Sequence, residues 1–132
     1  MVNLYFSRVY FYIIKNKSQI KTIMKYSVLT YNIGGYEILH ELEYKDDDVE
    51  YVYVTTDRSI TSSTWNVVYV DNAHPEDNFD LCYKIRFNPF DYVTTDIVIR
   101  IDGSMGVAGN LDYLIDYFNQ ISKDIMLLLK LK

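Results

Sequence analysis

A nearly continuous run of β-branched residues, Ile97 to Ile101, constrains the fold of this chain more than any other stretch. Such a run is typical of a central strand in a mainly parallel sheet that helices cover on both faces. Gly103 is predicted to end the strand. Ligands of open α/β sheets bind outside the carboxyl ends of the strands, so Asp102 is predicted to reach a ligand site. Asp102-Gly103 is also a common turn pair, and spacing alone leaves both interpretations open.

The other predicted elements surround this strand within a single domain. The chain has 132 residues, of which 49% are hydrophobic and only two are proline, so it is neither a disordered nor a collagen-like sequence. Strands are predicted at 26–31, 49–56, 66–71 and 124–131, and helices at 36–44, 81–87 and 111–121. Asp80 and Asn110 are predicted to cap the second and third helices. The expected fold is a Rossmann-like, three-layer α/β/α arrangement with a mainly parallel sheet.

Residues 1 to 23 form a basic and aromatic lead-in before Met24. We expect them to be an N-terminal extension that is not integral to the fold, with the domain itself formed by residues 24 to 132. The apolar run in this lead-in is about ten residues, whereas a helix that crosses a bilayer needs about 20. No signal-peptide cleavage site stands out. Contact of this extension with a membrane surface or with a partner protein stays open.

The charge distribution and the reactive side chains argue against several functional classes. Residues 1 to 25 hold five basic residues and no acidic one, while the whole chain has a net charge of −5, so residues 26 to 132 carry −10. An acidic domain disfavours nucleic acid and suits a site in which a cation holds an anionic ligand. The lone Cys82 is predicted to be a small buried hydrophobic residue rather than a nucleophile. His40 and His74 stand apart, so the sequence contains no zinc-site pattern.

Acidic residues follow two of the predicted strands. Asp57 comes directly after the strand at 49–56, as Asp102 follows Ile97 to Ile101. Two strands that end on acids form a more specific pattern than one, because parallel strands place their carboxyl ends at the same edge. After the first strand, Gly34-Gly35 permits a tight turn in which backbone N–H groups approach a ligand. These glycines match neither the dinucleotide fingerprint nor the P-loop.

Several short sequence motifs in the chain together resemble the N-terminal half of GT-A type glycosyltransferases, in particular the bacterial capsular-polysaccharide transferases. The resemblance covers roughly residues 24 to 125, and the motifs are YNIGGYE (31–37), YVTTD (53–57), STW (63–65), CYKIRFNPF (82–90) and IRIDGS (99–104). Each motif alone is a weak indication of the family, whereas the whole set is fairly specific to it. The resemblance implies a glycosyltransferase-like domain that binds a nucleoside-diphosphate sugar for surface-polysaccharide synthesis, in the cytoplasm or at the inner face of the membrane.

The resemblance also implies roles for individual residues. Tyr31 and Asn32 would lie against the nucleotide, and Asp57 would contact its base or ribose. The phosphates would face Lys84 or Arg86, although two residues that are two apart point to different sides of a regular helix. The catalytic residues are not identified by these motifs.

The metal site that the resemblance implies departs from the motif of the family. Asp102 would occupy the place of the last acid of the D-x-D motif that holds a divalent Mn or Mg ion in the family. Here Arg100 replaces the first acid. One carboxylate binds a metal more weakly than two, and Arg100 is expected either to neutralise the diphosphate directly or to pair with a neighbouring acid.

The chain is also shorter than the enzymes that it resembles, and it lacks room for their acceptor site. Three interpretations follow: a donor-binding half that a second polypeptide completes, a truncated and inactive product, or an unusually small member. The first two are favoured over a self-sufficient enzyme. A hypothesis of another class is a noncatalytic α/β module whose acidic, Tyr-rich surface binds a protein partner.

Overall fold

The computed structural model describes residues 2–6, 9–13, 24–72 and 74–130. Six strands in these ranges form one sheet, and two α-helices pack on it. The strands are β1 (Val2–Phe6), β2 (Val9–Ile13), β3 (Tyr26–Asn32), β4 (Val49–Thr55), β5 (Asn66–Tyr69) and β6 (Ile97–Ile101). The helices are α1 (Asn78–Phe87) and α2 (Asp112–Lys130), and short 3₁₀ turns lie at Pro75–Asp77 and Pro89–Asp91.

The order of the strands across the sheet is β1-β2-β6-β3-β4-β5. The last four of these are parallel to one another, while β1 and β2 run antiparallel at one side. The parallel strands follow a doubly-wound order, because the chain starts with β3, proceeds outward through β4 and β5, and then returns to the other side of β3 as β6. The predicted Rossmann-like α/β fold with a mainly parallel sheet is confirmed. The order reverses between β3 and β6, and such a switch point leaves a crevice at the carboxyl ends of the two strands.

The two helices cover opposite faces of the sheet. Alternate strand residues point to opposite faces, and they divide into two buried clusters. On the first face the cluster contains Phe118 of α2 and strand residues such as Val28, Tyr51 and Ile99. On the second face Ile85 of α1 packs with strand residues such as Leu29, Val52 and Val98. The result is the predicted three-layer arrangement.

The amino ends of the central strands are joined by one carboxylate. Glu50 of β4 accepts a hydrogen bond from Ser27 Oγ of β3 at 3.0 Å. It also accepts bonds from Thr94, at 3.0 Å from the backbone N and 2.6 Å from Oγ1. Ser27 and Thr95 hydroxyls lie 2.6 Å apart. Glu50 therefore holds the segment that leads into β6 against the amino ends of β3 and β4.

The helix predicted at 36–44 is wrong, because this segment is irregular. Its backbone groups pair with other parts of the chain instead of with each other. Leu42 N donates to Thr64 Oγ1 at 3.0 Å, and His40 O accepts from the indole N–H of Trp65 at 2.9 Å. These partners satisfy the buried backbone without a helix.

The helices predicted at 81–87 and 111–121 exist: the first ends at Phe87 as predicted but begins earlier, and the second continues further than predicted. Helix α1 begins at Asn78, so Asp80 lies inside its first turn and the predicted cap is wrong. At α2 the predicted cap is confirmed, since Asn110 Oδ1 accepts from Asp112 N at 2.7 Å. The strand predicted at 124–131 is also wrong, because α2 continues to Lys130. No Gly or Pro interrupts this stretch, and its Leu, Met and Lys residues favour helix.

Ten residues of the N-terminal lead-in belong to the sheet. β2 pairs with β6 along its whole length, and Tyr12 is fully buried. The expectation that residues 1 to 23 are not integral to the fold is therefore wrong for β1 and β2, because these strands cover the side of β6 that faces away from β3. The remaining lead-in residues lie outside the described ranges.

Candidate functional site

A cavity of about 400 Å³ lies at the switch point between β3 and β6. Its volume falls in the range of small-molecule sites. Three segments supply its walls: the end of β3 with the turn after it, one side of α1 with the preceding turn, and the end of β6. The lining residues are Tyr31, Asn32, Ile33, Tyr36, Glu37, Glu76, Asn78, Phe79, Cys82, Arg86, Asp102 and Gly103.

The turn after β3 is fixed by its own hydrogen bonds. Asn32 is buried, and its Nδ2 donates to Glu37 O at 2.6 Å while Glu37 N donates to Asn32 Oδ1 at 3.4 Å. Gly34 and Gly35 between them have φ of 85° and 75°, a region that favours glycine. Gly34 N also donates to Thr56 Oγ1 at the end of β4, at 3.2 Å. The turn therefore forms a stable first wall of the cavity.

A cationic and a phenolic group meet across the cavity. Arg86 Nε of α1 donates to the hydroxyl of Tyr31 at 2.6 Å, and the guanidinium carbon lies 5.9 Å from the centre of the Tyr31 ring. Burial raises the pKa of Tyr31, so the phenol keeps its proton at neutral pH. Because the oxygen accepts from Arg86, the O–H can donate to a ligand. Together the two side chains offer several donors to an anion.

A second guanidinium lies behind Tyr31, inside the protein. Arg100 is only 3% exposed and lies on the face of the sheet that α1 covers. Its Nε donates to Tyr12 O–H at 3.2 Å, and its guanidinium carbon is 3.7 Å from the ring centre of Tyr10 and 5.6 Å from that of Tyr31. Within the described ranges no carboxylate pairs with it. Its charge is held by aromatic rings and adds positive potential near the cavity.

Asp102 reaches the cavity as the first residue after β6. It is half-buried and lines the cavity. Its backbone oxygen accepts from Met105 N at 3.0 Å, so the residues after β6 form a turn as well. The turn interpretation of Asp102-Gly103 is therefore confirmed, while the ligand-site interpretation stays a prediction. At Gly103 a Cβ atom would lie 3.2 Å from Tyr31 O and 3.3 Å from Glu37 Cγ, so the ends of β3 and β6 approach closely here.

Two of the residues chosen from the sequence lie elsewhere. Asp57 lies two residues after β4, where its Oδ1 accepts from Ser59 Oγ at 2.6 Å and from Ser59 N at 2.9 Å, which lowers the pKa of Asp57. Lys84 lines a second cavity, on the other side of α1, together with Asp71 and Asp80. Neither residue is among the described ones that line the first cavity. Tyr31, Asn32, Arg86 and Asp102 are thus brought together, and Arg100 lies behind them.

The lining residues fit a divalent metal only when a ligand shares it. Three carboxylates line the cavity, from Glu37, Glu76 and Asp102. In the described part of the chain, however, no group of three or more His, Cys, Asp or Glu side chains is arranged to hold a metal ion. Mg²⁺ is commonly bound by one or two carboxylates and the phosphates of a substrate. Asp102 suits that arrangement, in which the phosphates supply further oxygen ligands.

Sequence reasoning missed the aromatic and thiol groups of the cavity. Phe79, Cys82 and Arg86 have the i, i+3, i+7 spacing of one helix face, and this face borders the cavity. Cys82 was expected to be a buried hydrophobic residue, and it is half-buried with a pKa that burial raises. Tyr36 carries no such signal, because it lies in the irregular segment where a helix was predicted. The helical spacing follows from the sequence only for a helix that begins at Asn78, because the predicted helix at 81–87 leaves Phe79 out.

None of the helices in the described part of the chain is long and apolar enough to cross a membrane. Comparison of the chain with protein-family models, with curated proteins and with solved structures gave no match. The resemblance to GT-A glycosyltransferases therefore stays a prediction that rests on the motifs at 31–37, 53–57, 63–65, 82–90 and 99–104.

Proposed function

We propose that this protein binds a nucleoside-diphosphate sugar in the cavity between β3 and β6, as a glycosyltransferase-like domain. The observation that carries the proposal is the meeting of Arg86 and Tyr31 with Asp102 across a cavity at the switch point of a doubly-wound sheet. Nucleotides commonly bind at this place in such folds. A role in glycosyl transfer for surface-polysaccharide synthesis, in the cytoplasm or at the inner face of the membrane, is part of the proposal and rests on the sequence resemblance.

The two arginines at the cavity suit a diphosphate, whereas the three carboxylates of the lining suit it only when a cation is shared with the phosphates. Arg86 offers a guanidinium whose Nε is already oriented by Tyr31. Arg100 contributes positive potential without contact, because its side chain is buried behind Tyr31. Phosphate oxygens accept strong hydrogen bonds from such cationic donors. Asp102 would then hold a divalent cation jointly with the phosphates, and this cation would stabilise the charge on a leaving diphosphate.

Exposed aromatic rings suit the rest of a nucleotide sugar. Tyr36 is 82% exposed and Phe79 is 67% exposed, and they line different walls of the cavity. Stacking of a base on an aromatic side chain is worth about 1–3 kcal/mol. The cationic and the aromatic groups at the cavity thus match the diphosphate and the base of a nucleoside diphosphate.

Thermal unfolding with added nucleotides tests the proposal. UDP, GDP and CDP are each added at millimolar concentration with Mn²⁺, with Mg²⁺ or with a chelator. A ligand at about 100 times its dissociation constant stabilises the folded state by about 2.7 kcal/mol, which raises the unfolding temperature by several degrees. A shift that needs the metal would support Asp102 as its ligand. A shift without metal would assign phosphate binding to the arginines.

The single cysteine supplies a second measurement on the same cavity. Cys82 lines it, so a bound nucleotide should protect this thiol from alkylation, as followed by mass spectrometry. Arg86→Gln and Asp102→Asn should each remove the protection and the thermal shift. Arg58→Gln is the matched control, because Arg58 is exposed and pairs with Asp71. Absence of both effects with every nucleotide, in a protein that unfolds cooperatively, would reject the proposal and favour the noncatalytic module.

A further variant distinguishes a ligand that only the cavity residues bind from one that also contacts Asp57, as the resemblance implies. The sequence motifs place Asp57 against the base or ribose, whereas the structure places it at the end of β4 outside the cavity lining. Asp57→Asn should leave nucleotide binding unchanged if the cavity residues alone recognise the ligand. Loss of binding in this variant would show that the ligand extends across the end of β4, as the resemblance implies.

A further inference from the structure

A row of exposed aromatic rings runs along α1, from Phe79 at the edge of the cavity to the end of the helix. Phe79, Tyr83 and Phe87 are four residues apart, and they are 67%, 38% and 60% exposed. Their rings touch in sequence, with centroids 4.6 Å apart for the first pair and 5.7 Å for the second. We call these three residues the aromatic ridge. At about 200 Å² a side chain, the ridge exposes roughly 300 Å² of ring surface, the size of the largest apolar patch on many monomeric proteins, which is often functional.

The opposite side of the same helix is apolar too. Leu81, Cys82 and Ile85 face the sheet and belong to its core on that side. A helix with apolar residues on both sides is normally covered on both sides, because each exposed ring leaves favourable burial unused. Something is therefore expected to cover the aromatic ridge.

The charges beside the ridge indicate what covers it. Asp80 and Lys84 are exposed and follow Phe79 and Tyr83 directly, so they form one charged edge of the ridge. Within the described chain neither of them forms an ion pair. An acidic and a basic residue at i, i+4 spacing form a self-complementary charge pattern when two copies of the helix run antiparallel. A second copy of the same helix, running antiparallel, offers a base opposite the acid and an acid opposite the base.

We propose that the aromatic ridge is a homodimer interface in which α1 packs antiparallel against α1 of a second copy. A two-fold axis at the height of Cys82, midway between Asp80 and Lys84, puts each Asp80 level with Lys84 of the other copy. At a rise of about 1.5 Å per residue, the rings of the two copies then alternate every 3 Å or so along the interface. The same patch is used by both copies, as closed two-fold dimers require.

The ridge and its charged edge are small, so the dimer is weak. Stable interfaces bury at least about 1,200 Å² in total, more than two ridges provide. Association is therefore measured by sedimentation equilibrium from about 10 μM to 1 mM, where weak dimers become populated. The average mass should rise with concentration from the 15.6 kDa of the monomer towards twice that value.

Loss of a ring should weaken the dimer, and loss of an equally exposed ring elsewhere should not. Phe87→Ala should weaken it about tenfold, since aromatic side chains supply much of the energy of such interfaces. Tyr113→Ala is the matched control, because Tyr113 of α2 is 64% exposed and lies on the other helix. Equal association of these two variants would overturn the proposal, as would a wild-type protein that stays monomeric over the whole range.

A charge exchange tests the pairing itself. Asp80→Lys alone places Lys against Lys across the interface, and Lys84→Asp alone places Asp against Asp, so each variant should dimerise about tenfold more weakly. An equal mixture of the two variants restores both opposite-charge contacts in a mixed dimer. Association in the mixture should therefore exceed that of either variant by itself. A mixture no tighter than its components, with both variants folded by circular dichroism, would exclude this antiparallel arrangement.

Discussion

Replacing Gly103 by Ala should destabilise the protein, because two strand ends meet at this residue. A Cβ atom there would lie 3.2 Å from the backbone oxygen of Tyr31 and 3.3 Å from Glu37 Cγ. The Tyr31 oxygen belongs to β3, where Tyr31 is paired with Val54 of β4, so it cannot move away easily. Overpacking of this kind costs about 1–3 kcal/mol, and the lower entropy of the unfolded Ala chain offsets about 0.4–1 kcal/mol of it. We expect a net loss of about 1–2 kcal/mol.

Gly106→Ala is the matched control in the same loop. Nothing lies within 4 Å of a Cβ atom at Gly106, so this substitution should be neutral or slightly stabilising. The two variants should differ by about 2 kcal/mol in the free energy of unfolding from urea titrations, or by roughly 6–10 °C in unfolding temperature. The nucleotide effects proposed above should also weaken only in Gly103→Ala. Two variants of equal stability would refute the close approach of β3 and β6.

Three further predictions concern stability, pH and the cavity thiol. Glu50→Ala should cost about 2–3 kcal/mol in urea denaturation, because three hydrogen bonds to a carboxylate are lost; the exposed Glu43→Ala should cost little, and equal losses would contradict the role of Glu50. Burial raises the pKa of Tyr26, so this residue stabilises the fold fully below the unfolded pKa of about 10 and loses that contribution as the pH rises further. Urea titrations between about pH 8 and 11 should show a shallower alkaline decline in Tyr26→Phe, and an unchanged decline would contradict this. Because burial also raises the pKa of Cys82, its alkylation at neutral pH should be slower than in the unfolded chain, and equal rates by mass spectrometry would exclude a sheltered thiol.

Elements with a strong local pattern were predictable from the sequence. The β-branched residues of β6 identify a strand buried on both faces wherever they occur, and the structure places this strand between β2 and β3. Asn110 identifies the start of α2 because its side chain pairs with the helix locally. Part of the candidate site was predictable for the same reason, because Asp102 comes directly after β6 and its location therefore follows from the position of that strand.

Elements that depend on distant partners were not predictable. The segment 36–44 has the composition of a short helix, but Glu43 N and Tyr44 N donate to Val107 O, a residue far along the chain. β2 is defined by its pairing with β6, and the basic residues around it concealed a strand. Lys84 lies on the other side of α1 from the first cavity. This position depends on how α1 is rotated against the sheet, and the local sequence does not determine that rotation.

The pairing of β6 with both β2 and β3 affects the order in which the protein can form during synthesis. Tyr12 and Arg100, which meet in the folded sheet, are 88 residues apart. Strands β3, β4 and β5 can pair while the ribosome is still working, but the side of β3 that β6 will occupy stays open until residue 101 has emerged. An open strand edge can pair with other chains, and closing long loops is slow. The nascent chain is therefore most exposed to misassembly just before its central strand arrives.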